Sequence, residues 1–214
     1  MPEYVYRGVK IELLGHASVR AEGEGVVVYV DPFQIKRARR DGDVVVCTHE
    51  HYDHCSPRDV EKVLKEGGTI VAAANCEAKL REFAVEKVFL KPGETAEIGR
   101  VKIDAVPAYN VAKPFHPREY GGVGVVLTIG GVRIYHAGDT DFIPEMGELG
   151  EIDVALLPVG GTYTMGPLDA ARAVEVIKPK VAIPMHYGAI VGSRREAEEF
   201  EKRASKFCEV RILL

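Results

Sequence analysis

Short apolar runs alternate with amphipathic stretches along most of the chain. VKIELLG (9–15), GVVVYVD (25–31) and DVVVCT (43–48) are rich in β-branched residues and bounded by polar or glycine positions, which predicts strands. PRDVEKVLKEGG (57–68) predicts a helix: Pro57 suits its first turn, Val60, Val63 and Leu64 form one stripe, and Gly67 marks a stop. TIVAAA (69–74), NCEAKLREFA (75–84) and EKVFLK (86–91) continue as strand, helix and strand. VKIDAVP (101–107), GVGVVLTIG (122–130) and VRIYHAG (132–138) add three strands, the last two joined at Gly130-Gly131. DVALLPVGG (153–161) is a strand ending in a glycine loop, and VAIPMHY (181–187) a strand ending near His186. Between them PLDAARAVEVIKP (167–179) places Ala170, Ala173, Val174 and Ile177 on one helical face. SRREAEEFEKRASKF (193–207) turns Ala197, Phe200, Ala204 and Phe207 inward as a last helix, and CEVRILL (208–214) closes as a strand.

The second half therefore repeats the plan of the first. Two βα halves, each with polar residues at its strand ends, predict an α/β fold whose sheets pack face to face under outer helices. No linker or low-complexity tract divides the chain, so one domain over 1–214 with a shared cleft is expected.

Composition narrows the function classes. The chain is 46% hydrophobic and 28% charged, with a net charge of −4, so no global electrostatic case exists for nucleic acid or an anionic membrane. The opening residues MPEYVYRGVK lack an apolar core of the signal-peptide kind, and no apolar run approaches a bilayer span, so a cytoplasmic protein is expected. The four cysteines, Cys47, Cys55, Cys76 and Cys208, show no CxxC pairing and read as reduced, packed side chains. One glutamine and two asparagines among many Glu, Lys and Arg fit the usage of a hyperthermophile.

The chemistry concentrates after the VVV of 44–46, where the chain reads CTHEHYDHC (47–55). On an extended segment i and i+2 point the same way, so His49 and His51 can grip one ion, while Asp53 and His54 past the bend reach a second. Imidazole and carboxylate are ligands for zinc and its first-row neighbours. Asp139 in HAGDT and His186 in PMHY also follow strands, and strand-end loops gathered at one rim would bring them to the same place.

HEHYDH resembles the HxHxDH signature of the metallo-β-lactamase superfamily. GHAS (15–18), DPF (31–33), HAGDT (136–140), GGTYTMGP (160–167) and PMHY (184–187) resemble its branch of L-ascorbate-6-phosphate lactonase-like metal-dependent hydrolases. The resemblance, from about residue 10 to the C-terminus, implies an αββα four-layer sandwich with a two-metal site on its edge. It implies that His49 and His51 hold metal one, that Asp53, His54 and His186 hold metal two, and that Asp139 bridges. Asp31 would then orient a ligand histidine. The family pattern places a further metal-one histidine after IDAVP, where this chain reads AYNVAKPFHP (108–117). Either His116 replaces it, or metal one takes three protein ligands with water filling in, or one metal alone binds tightly. Tyr109 and Asn110 are candidates to orient substrate. His16 is placed in the cleft but outside the ligands, and His136 behind them.

The resemblance further implies hydrolysis by a hydroxide held between two divalent ions, zinc first and manganese, iron or nickel as alternatives, with Asp53 orienting it. The expected substrate is small and anionic, a phosphoester and in particular a phosphodiester. KRARR (36–40) and the Tyr163 and Thr164 hydroxyls are the candidate anion contacts, the former set against a plain solvated turn. The alternatives are a lactonase on a sugar-phosphate lactone and a metal-binding protein without turnover. No dedicated nucleic-acid partner and no membrane are expected, and a homo-oligomer is compatible.

Overall fold

The computed structural model describes residues 3–214. Residues up to 90 build one sheet: β1 (Glu3–Tyr6), β2 (Val9–Gly15), β3 (Ser18–Gly23), β4 (Val26–Val30), β5 (Gly42–Cys47), β6 (Leu64–Ala73) and β7 (Lys87–Leu90), side by side in that order. Helices α1 (Pro57–Val63) and α2 (Glu77–Leu80) follow β5 and β6. The remainder builds a second sheet from β8 (Thr95–Ile98), β9 (Val101–Pro107), β10 (Val123–Ile129), β11 (Val132–His136), β12 (Val154–Pro158), β13 (Val181–Met185) and β14 (Glu209–Val210), again in chain order. Helices α3 (Pro167–Ile177) and α4 (Arg194–Ala204) follow β12 and β13.

Each sheet is antiparallel through its first four strands and parallel through its last four. The parallel strands carry the helices, which flank the paired sheets as the outer layers of an αββα sandwich. β4, β12 and β13 are buried along their whole length, because a central strand has one face on the opposite sheet and the other under cover. Val28, Val44, Ile70, Leu127, Ile134, Leu156 and Ile183 belong to one continuous apolar core. Among the described residues no helix is long and apolar enough to cross a membrane.

Several expected boundaries move. The helix expected over 57–68 is capped by Ser56, whose side chain accepts from Asp59 N, but stops at Val63. Leu64 is already extended and pairs with Gly42, and Gly68 packs so that a Cβ there would lie 2.9 Å from Gly42 O. Sheet pairing thus takes the last helical turn. The helix expected over 75–84 shrinks to a 3₁₀ turn (Ala74–Cys76) and α2, with Lys87 Nζ bonding the Arg81 and Phe83 carbonyls at its exit. The closing strand pairs only at Glu209 and Val210, against Val181 and Ala182.

Three strands lie outside the expectation. β1 and β8 are four-residue edge strands with little apolar content to mark them. β3 was hidden by Arg20, whose charge breaks the apolar pattern, yet it is 5% exposed and bonded to Glu12, Glu22 and Asp41.

Candidate metal centre

The chemistry-bearing residues sit where strands end. His16 follows β2, Asp31 follows β4, His49 to His54 follow β5, Asp139 follows β11 and His186 follows β13. His16, Asp31 and His186 take left-handed backbone angles, with φ of 54°, 48° and 59°. Such strain in non-glycine residues concentrates at functional sites. Hydrogen bonds tie the two sheets together at this edge: His186 N to His16 O at 2.8 Å, Val123 N to Thr48 O at 2.9 Å, and His136 Nε2 to Ala17 O at 2.8 Å.

Among the described residues three groups of ligand atoms emerge, the third, His49, His54 and Asp139, linking the other two. In the first, His49 Nε2 and His116 Nε2 lie 3.2 and 3.1 Å from His51 Nδ1. Nitrogens about 2.05 Å from one ion in a tetrahedron are about 3.3 Å apart, so this trio is already spaced for a single small cation. In the second, His16, Asp53, His54 and His186 converge. Asp53 Oδ2 stands 3.0 Å from His16 Nε2 and 3.6 Å from His54 Nε2.

Asp139 stands between the groups. Its Oδ1 is 3.2 Å from His54 Nε2 and 3.1 Å from His186 Nε2, and its Oδ2 is 3.4 Å from His116 Nε2 and 4.0 Å from His49 Nε2. His54 Nε2, His186 Nε2 and Asp139 Oδ1 are buried without hydrogen-bond partners. Buried polar atoms are normally satisfied, so orphans converging on one point fit a cation there.

The outer nitrogens of the rings are fixed by neighbours. His54 Nδ1 donates to Asp31 Oδ2 at 2.7 Å, and Asp31 also accepts from Thr48 Oγ1 at 2.7 Å and Thr48 N at 2.8 Å. Thr48 Oγ1 is in turn 3.1 Å from His49 Nδ1, so Asp31 steadies histidines of both groups. Asn110 Oδ1 accepts from His116 Nδ1 and His116 N, both at 3.0 Å. Such outer partners set the tautomer and aim of a metal-binding imidazole.

Charges are poised accordingly. Burial would raise the Asp139 carboxyl, but His186 and His54 hold it well below its usual range. Asp53 is lowered too, with the His16 bond and the His54 charge overcoming burial. Burial holds His49 well below its normal value and His116 down to about 4, against the pull of Asp139. Burial also disfavours charge on His54, but Asp139 and Asp31 hold that ring well above its usual value. Ionised carboxylates and neutral imidazoles, as at His49 and His116, are what metal binding requires, and an ion at His54 would have to displace the proton that Asp139 and Asp31 hold there.

Other sequence-based expectations fare differently. Asn110 supports His116 rather than facing a substrate, and its Nδ2 bonds Tyr163 O at 2.9 Å. Tyr109 points its hydroxyl to Glu145 at 3.1 Å, away from the cluster. Thr164 is fully buried, its hydroxyl on Met165 O, so it cannot meet an anion, and the Tyr163 ring packs on Phe115. His136 is held by backbone on both nitrogens, Ala17 O and Gly138 N, and so ties the sheets together rather than supporting a ligand. In the KRARR run, Arg39 bonds the buried Glu12. His16 comes closer to the ligand atoms than its isolated position in the sequence suggested.

Thr48 and Tyr120 were missed. Thr48 reads as one more β-branched strand residue, and nothing in the sequence places the Tyr120 ring 5.3 Å from that of His51. Gly160 also carries the site: a Cβ there would lie 2.4 Å from His186 O.

The family model for the β-lactamase superfamily domain matches residues 10–186. A UPF0173 metal-dependent hydrolase of Methanopyrus kandleri is 38% identical, over 92% of each chain. Among solved structures, a protein of Parabacteroides distasonis superposes with a TM-score of 0.85 at 32% identity, covering 99% of this chain and 97% of that one. Igni18, described as a novel metallo hydrolase from the hyperthermophilic archaeon Ignicoccus hospitalis, superposes at 0.79 with 27% identity, covering 95% and 94%.

Proposed function

The chain belongs to the metallo-β-lactamase superfamily and is one of its metal-dependent hydrolases, and we propose that its centre holds two divalent ions and cleaves a phosphodiester. The observation that carries the reading is Asp139, whose two oxygens face two separate sets of donors. His49, His51 and His116 would hold one ion, and Asp53, His54 and His186 the other. His16 stands beside Asp53. Three imidazoles suit zinc first, with manganese, iron and nickel as competitors for the same donors.

When bound, the ions supply Lewis acidity toward the scissile group and a water activated near neutral pH. Asp53, kept ionised by its bond from His16, orients the attacking water. The water oxygen bonds to phosphorus as the water gives up a proton, the bond to one ester oxygen breaks, and the departing alkoxide takes up that proton. Thr48 and Asp31 hold His49 and His54 in place throughout.

A small, singly charged diester fits better than a sugar-phosphate lactone. Lys113 and Arg118, the cations flanking His116, are paired with Asp141 and Glu145, which lowers the net positive charge offered to a phosphate dianion there. His116 lies among the donors of the first group, which weakens the case for a binding protein without turnover. The test is hydrolysis of bis(4-nitrophenyl) phosphate by zinc- or manganese-loaded protein. Expected is turnover that chelator abolishes, that metal restores, and that Asp139→Asn lowers at least about 100-fold. Metal-dependent opening of a lactone without diester cleavage would overturn the substrate reading.

A further inference from the structure

Exposed large apolar side chains recur in the loops that carry the charged and polar groups of the centre. Among the described residues eight large hydrophobic side chains are exposed, and four of them, Tyr52, Val111, Phe115 and Ile190, lie within five positions of a cluster histidine. Scattered apolar surface residues need no explanation, but a concentration around one site marks something that binds there.

The arrangement has two sides. Of the eight candidate donors only His51 is not buried, so the cluster is reached past it. On one side Phe33 lies 5.9 Å from the His16 ring and meets Tyr52 edge-on at 5.8 Å. On the other side Phe115, next to His116, meets Tyr163 edge-on at 4.7 Å. One aromatic pair therefore adjoins the His16 and Asp53 group through Phe33, and the second holds Phe115, the chain neighbour of His116. The cations of the His116 loop are paired with Asp141 and Glu145, so little net charge is left beside the aromatic pairs.

A phosphodiester presents two substituents on either side of its phosphorus. We propose that the substrate is a diester with flat, apolar arms, seated one against the Phe33–Tyr52 pair and the other against the Phe115–Tyr163 pair. This rests on the diester reading above and adds the class of arm that the rim selects. Edge-on aromatic pairs offer a planar group both contact area and favourable quadrupole geometry, and Tyr hydroxyls keep the rim wettable when empty.

The test compares bis(4-nitrophenyl) phosphate with methyl 4-nitrophenyl phosphate, which share a leaving group and differ in one arm. Wild type is expected to favour the diaryl ester by roughly tenfold in kcat/KM, and Phe33→Ala, Tyr52→Ala and Phe115→Ala each to shrink that ratio severalfold. A ratio unchanged within twofold in all three variants would overturn the proposal. Should neither ester turn over, the diester reading fails separately, and calorimetry with diphenylphosphinate against dimethylphosphinate still tests the rim. About tenfold tighter diaryl binding that Tyr52→Ala removes upholds it, and equal affinities sink it. A change in sedimentation mass on Tyr52→Ala or Phe115→Ala without a change in ratio would assign the patch to contact between copies and overturn it as well.

Discussion

Asp31 is fully buried, ends a strand at positive φ, and touches no donor atom of the cluster's interior, yet it connects both halves of the centre. It takes a proton-bearing nitrogen of His54 directly and steadies His49 through the Thr48 hydroxyl. Asp31→Asn keeps the volume and removes the charge, so His54 loses its ionic partner. Metal affinity is expected to fall about 10- to 100-fold, read by competition with a chromogenic chelator. In the same titration His16→Ala is expected to weaken one ion, though less than His186→Ala does, because the His16 nitrogen reaches that group through Asp53. Wild-type affinity in His16→Ala would make that ring a bystander. The HEHYDH residues stood out as candidate ligands because they lie within six positions. His116 was legible only as one of three readings and His16 only as a cleft residue, since each is a lone histidine whose role depends on which loop folds against it.

At the level of elements, β3 shows how a buried charge can hide a strand. Arg20 donates to Glu12 at 2.9 Å and to Asp41 at 2.8 Å, and Arg39 adds a second contact to Glu12 at 3.0 Å. Burial would raise both carboxyls, but Arg39 and Arg20 hold Glu12 below its usual range, and Tyr29 and Arg20 do the same for Asp41. A carboxylate with a lowered folded-state pKa stabilises the fold above its unfolded value and loses that contribution as pH falls through the folded one. Arg20→Met should therefore cost about 2 kcal/mol at neutral pH, with the gap from wild type closing in acid as Glu12 and Asp41 protonate. Thermal unfolding at pH 7 and in steps below pH 4 checks this, and a constant gap would argue for lost packing alone. The apolar strands β2, β4, β5 and β9 were legible in sequence because periodicity and burial agree there, whereas helix ends were not, because β6 competes for the last turn of α1.

For the whole molecule, the centre lies on the seam between two sheets. His16, Asp31 and His49 to His54 come from the first, and His116, Asp139 and His186 from the second. An ion bound by both halves binds the folded state and not the unfolded chain, so it clamps the sandwich. At 100 times the dissociation constant such binding adds about 2.7 kcal/mol. Removing metal with chelator should thus lower Tm by several degrees, and zinc or manganese should restore it. An unchanged Tm would mean that no tightly held ion bridges the sheets.

The sequence by itself determined the alternation of strands and helices, the HEHYDH cluster of candidate ligands and the resemblance that predicted a four-layer sandwich, because each is written in residues near one another along the chain. Only the tertiary structure decided that His116 stands with His49 and His51, that His16 faces Asp53, and that Tyr109 and Thr164 turn away. The first three outcomes depend on contacts between residues 36 to 65 positions apart, and all depend on which neighbour, Glu145 or Met165 or Asn110, satisfies each polar atom first.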